Sequence, residues 1–170
     1  MKDKLLIDEK QATALFDAYC SSEINQGHYY VDFVPITFMN EDFAELADYL
    51  AINYKPDFAK KIIFIAFTIL CYYDSAVFLP GNDYLEKYTN KDLRHTDLES
   101  IAKEIRDKVI KNRMGLYIFF QTEDKDHISL MSIEDEYSTH FFGLSGEAQK
   151  MIEQLVTHQG LFFKKVKNID

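Results

Sequence analysis

From Ile62 to Tyr73 the chain is apolar except for Thr68, with Lys60-Lys61 before the run and Asp74 after it. As a helix these residues span about 18 Å, well short of the roughly 30 Å hydrocarbon core of a bilayer. The run therefore predicts a helix buried in protein, over 57–73, with Pro56 at its first position. A helix apolar nearly all round has to be covered on several sides. The flanking elements must supply that cover.

Periodicity and turn chemistry give the rest. Ala12, Leu15, Phe16, Tyr19 and Cys20 share one face of a helix over 8–21. Tyr29 to Thr37 reads as a strand, with Pro35 pointing to an edge or a bulge. Asn40 can cap a separate helix with Phe43, Leu46, Ala47 and Leu50 inward. Ala76 to Leu79 forms a short strand before the Pro80-Gly81-Asn82-Asp83 turn, and 83–95 is polar with a short helical piece. Thr96-Asp97-Leu98-Glu99 has the form of a capping box opening a helix to about Asn112.

Three strand-like segments follow, 116–121, 127–133 and 137–142, joined by short polar connections that imply an antiparallel meander. Ser145 caps a helix to about His158, and Leu161 to Lys167 returns as a final strand. The fold class is thus α+β. It is a single domain with an antiparallel β-meander over about 115–142 and a C-terminal strand. About five helices pack on it, including the buried central helix, and 80–95 is the candidate internal boundary.

The formal net charge is -9, from 19 Lys and Arg against 28 Asp and Glu. Such a field repels a phosphate backbone, so nucleic acid is not an expected partner. A basic protein would be attracted and steered. Cys20 and Cys71 are too few for a disulfide scaffold and read as small buried hydrophobes. The first residues hold three apolar side chains before Asp8, fewer than a signal sequence needs, so the expected location is cytoplasmic.

No phosphate-binding loop, dinucleotide fingerprint, paired-histidine zinc motif or nucleophile elbow occurs in the chain. The Gly143-Leu144-Ser145-Gly146 segment reads as a loop and helix cap. No cofactor is expected. Two acidic clusters, Glu123, Asp124 and Asp126, and Glu134, Asp135 and Glu136, fall in the turns of the meander. They lack the alternating pattern of a calcium loop, and successive turns of a meander lie at opposite ends. Solvated turns are the plain expectation, yet their carboxylates could meet Lys and Arg of a partner, with Tyr137 as an anchor.

In size and charge alone the chain resembles small acidic bacterial proteins that bind and neutralise a partner, such as immunity proteins to toxins. That resemblance implies a non-catalytic, partner-binding or inhibitor-like role. A second expectation is a small metal-dependent hydrolase using His127 and His140, if neighbouring strands bring them together. A third is a self-associating subunit that buries Phe141, Phe142, Phe162 and Phe163 between copies.

Overall fold

A computed structural model describes residues 7–21, 28–35, 44–88, 97–122 and 127–166. The described residues form four helices, α1 (Glu9–Cys20), α2 (Ala44–Tyr72), α3 (Leu98–Lys111) and α4 (Gly146–His158). They also form seven strands: β1 (Tyr29–Asp32), β2 (Asp74–Pro80), β3 (Leu85–Lys87), β4 (Leu116–Gln121), β5 (Ile128–Ile133), β6 (Thr139–Phe142) and β7 (Phe162–Lys165). All seven strands join in one sheet of order β3-β2-β4-β5-β6-β1-β7, with every pairing antiparallel. Mixed helix and antiparallel sheet is the α+β class that the segregated patterns predict.

The meander is present as β4-β5-β6. Its two flanks differ from the expected arrangement. Within 83–95, residues 85–87 pair with β2 as a strand, and 89–95 lie outside the described residues. β1 lies between β6 and β7 rather than at an edge. It ends at Asp32, before Pro35, so the missing proline N–H costs the ladder nothing.

α2 corrects two expectations. Residues 44–72 form one helix with Pro56 inside it, not a short helix followed by a second one opening at Pro56. Pro56 is exposed, so the Ile52 carbonyl that loses its donor lies on the solvent side of the helix. Secondly, the apolar run is covered on one side only. Phe58, Ala59, Ile62, Ile65, Ala66 and Ile69 are buried, while Phe64 is 52% and Tyr72 66% exposed. Cys71 is exposed on this helix and Cys20 at the end of α1, so neither cysteine is the buried hydrophobe its pattern suggests.

Side chains alternate across the sheet and divide the core in two. One face carries Val31, Val77, Leu116, Ile118, Phe120, Met131, Ile133 and Phe141 against α2, α3 and α4. The other carries Ala76, Phe78, Tyr117, Phe119, Leu130 and Phe142 against α1. α1 starts from a capping box between Asp8 and Gln11. α3 is capped by Asp97, whose carboxylate accepts from the Glu99 N–H at 3.0 Å. The helix therefore starts one residue later than a box opened by Thr96 would place it, and Thr96 lies outside the described residues. Ser145 is the N-cap residue of α4 without a side-chain cap bond. Among the described residues, no helix is long and apolar enough to cross a membrane.

Candidate functional site

The turn between β5 and β6 holds four of the candidate residues, and its backbone is closed on itself. The Glu134 N–H donates to the Ser138 carbonyl at 2.8 Å, and the Ser138 N–H donates to the Asp135 carbonyl at 3.1 Å. Glu136 takes a left-handed conformation, φ 54°, which costs a non-glycine residue about 1 kcal/mol. Its Oε1 is held by Lys55 Nζ at 3.3 Å and by Asn112 Nδ2 at 3.1 Å. Asn112 is itself the left-handed cap of α3. The turn thus ties α2 to α3.

Tyr137 fixes the other side of the turn. Its ring stacks on Phe33 at 4.0 Å and meets Phe58 edge-on at 4.8 Å. Its hydroxyl donates to the Leu50 carbonyl at 2.8 Å. Burial, then the Glu136 carboxylate, pushes the phenol up to about 12. Tyr137 is used within the molecule. Glu134 turns back to the sheet and accepts from Ser132 Oγ at 2.7 Å. Asp135 and Glu136 are the exposed acids of the group. Glu123, Asp124 and Asp126 lie outside the described residues. The register pairs Gln121 with Ile128 and Ile133 with Thr139, so the two connections leave β5 at opposite ends.

The structure does not bring His127 and His140 together. His127 Nε2 donates to the Gly143 carbonyl at 2.5 Å, and Ser129 Oγ donates to the same oxygen at 2.9 Å. Gly143 is three residues beyond His140, roughly 10 Å along an extended chain. His140 instead faces His28, with ring centroids 5.3 Å apart, and Tyr30 at 6.2 Å. One row crosses five strands on the α1 side of the sheet: Tyr117, Ser132, His140, Tyr30 and Lys164. Lys164 closes it with an ion pair to Asp32 at 2.7 Å. Desolvation, then the charge of His28, lowers His140 to about 4.

The pairing of His28 with His140 escapes the sequence because β1 enters the sheet out of chain order. The one local signal is the alternation of His28 and Tyr30, which puts both on one face. Cys20 is no activated thiol: although the residue is exposed, partial desolvation of its sulfur, then the Glu134 and Asp17 carboxylates, push its pKa up. Among the described residues no three His, Cys, Asp or Glu side chains are grouped to hold a metal ion. Compared with protein-family models, with curated proteins and with solved structures, the chain matches none.

Proposed function

We propose that this is a non-catalytic partner-binding protein, immunity-like or inhibitor-like in kind, that offers the β5–β6 turn to a basic protein surface. The observation behind this reading is the exposed pair Asp135 and Glu136 on a turn held in one shape by Tyr137, Lys55 and Asn112. A loop ordered beforehand loses little entropy on binding. Its acids act at the rim, where charge raises the rate of association more than the affinity. The net charge of -9 adds long-range attraction for a basic partner.

Affinity capture from the native host at low and moderate salt tests the proposal. The wild-type chain is expected to retain a basic protein at low salt and less of it at moderate salt. The double variant Asp135→Asn, Glu136→Gln should retain far less. An empty capture, or an unchanged set of retained proteins with the double variant, would sink the reading.

A further inference from the structure

β1 enters the sheet beside β6 and sets two imidazoles side by side on the α1 side. His28 and His140 have ring centroids 5.3 Å apart, with ring planes inclined at 46°. Two imidazoles that share one tetrahedral zinc, at Zn–N of about 2.0–2.1 Å, have centroids about 5.2 Å apart. The Nδ1 atoms of both rings are buried, and His140 Nδ1 has no hydrogen-bond partner among the described residues. A buried ring nitrogen left in that way is costly unless something else takes its lone pair.

We infer that His28 and His140 bind a divalent ion of the zinc type through their Nδ1 atoms and so tie β1 to β6. Neutral imidazole is a preferred ligand of such ions. The surroundings hold both rings ready. His140 Nε2 lies 3.1 Å from Ser138 Oγ, so in the bound form Nε2–H donates to that oxygen and Nδ1 is left to the metal. The His28 ring stacks on Phe142, with centroids 4.7 Å apart and planes at 18°, which fixes its plane. The His28 carbonyl accepts from the Val166 N–H at 3.0 Å, and His140 sits in the ladder opposite Tyr30. Both ligands therefore stand on backbone that the sheet has already ordered.

No third His, Cys, Asp or Glu joins the pair among the described residues, so water completes the coordination. Both rings are half-buried, and solvent reaches them. The charges nearby tolerate a cation. Glu134 is held at 2.7 Å by Ser132, the residue directly across from His140. Lys164, the cation of the same row, is paired with Asp32 at 2.7 Å. A site with two protein ligands is weaker than a closed four-ligand site, so the expected affinity is micromolar. The bound ion would staple the one strand that enters the sheet out of chain order between β6 and β7.

Zinc alone, added to the full chain with the exposed Cys20 and Cys71 changed to serine, should bind in calorimetry and raise the thermal midpoint. His28→Phe keeps a ring on Phe142, and either His28→Phe or His140→Phe should weaken zinc binding at least about tenfold with unchanged circular dichroism. Ser138→Ala should weaken it about tenfold by releasing the His140 ring. His158→Ala, at an exposed histidine of α4, should leave it unaltered. A readout that needs no histidine variant to fold is ring-nitrogen NMR, in which zinc should move the Nδ1 signals of His28 and His140 and leave those of His127 and His158 in place. No binding at about 100 µM zinc overturns the inference. So does zinc binding that survives both His28→Phe and His140→Phe, or Nδ1 signals of His28 and His140 that do not move. Asp135 and Glu136 take no part in this test, so capture of a basic protein is read separately.

Discussion

The Tyr137 hydroxyl donates to the Leu50 carbonyl at 2.8 Å and lies 3.4 Å from the Ala51 carbonyl. One phenol therefore joins the β5–β6 turn to α2 in the turns just before Pro56, where the helix lacks a backbone donor. Tyr137→Phe keeps the ring contacts with Phe33 and Phe58 and removes only this bond. It should lower stability by about 1 kcal/mol in urea titrations. Pro56→Ala restores a helical N–H and should raise stability by about 1–2 kcal/mol, below the full interior penalty because the site is exposed. If Tyr137 braces this stretch, the double variant will depart from additivity by at least about 0.5 kcal/mol. Strict additivity would show that the two features are independent.

His140 gives stability a pH dependence of definite sign. Its folded pKa, about 4, lies below the ordinary value of 6.5, so the unfolded chain binds the proton more readily between them. Stability from this group is complete above about pH 6.5 and is lost as pH falls towards 4. The loss should be on the order of 2 kcal/mol for a partly buried ring. His140→Phe preserves an aromatic ring beside Tyr30 and Phe142 and should flatten this part of the profile. Urea midpoints measured at half-unit steps from pH 7 to 4 decide the matter. An equal slope in both proteins would assign the effect elsewhere.

What the sequence makes legible is local. The periodicity of residues 9–20, 98–111 and 146–158 places α1, α3 and α4 within one or two residues, and the polar connections around β5 place the meander. Order within the sheet is not local. Nothing in Tyr29 to Asp32 tells that this strand enters between β6 and β7, and for that reason the His28–His140 contact was out of reach. Pro56 misleads because proline at a first helical turn and proline on the exposed side of a long helix leave the same local sequence. The four residues named for self-association separate in the structure. Phe141 and Phe142 are buried in the core and Phe163 stacks on Tyr29 at 4.7 Å, while Phe162 is exposed on the edge strand β7. Phe64 and Tyr72, within the stretch read as a buried central helix, are exposed as well.

Asp107 should make the protein resistant to moderate acid. Lys111 at 2.9 Å, Lys103 at 3.1 Å and Arg113 at 3.9 Å surround its carboxylate, and hydrogen bonds from the two lysines lower it to about 2. A depressed carboxylate stabilises the fold above the unfolded pKa, near 3.8, and that stabilisation is lost as pH falls towards 2. Asp107→Asn should reduce stability at pH 7 and remove the further loss between pH 4 and 2. A variant whose acid profile parallels that of the wild type below pH 4 would count against the assignment.

Gly143 is the point where β6 ends and α1 meets the sheet. Its φ of 68° is left-handed, and a Cβ there would run into the Tyr19 hydroxyl and lie 3.0 Å from His127 Nε2. Neither neighbour can withdraw freely. The Tyr19 hydroxyl donates to the Ile128 carbonyl at 2.5 Å, and His127 is bonded to the Gly143 carbonyl itself. Gly143→Ala therefore combines backbone strain of about 1–2 kcal/mol with displacement of the Tyr19 ring from its stack on Phe142. The expected loss is about 2–3 kcal/mol in total, from strain and overpacking together. Tyr19→Phe removes the clashing oxygen and the bond to Ile128, so Gly143→Ala should cost less in that background than in the wild type. Equal costs in the two backgrounds would place the whole penalty in the backbone and none in the contact between α1 and the end of β6.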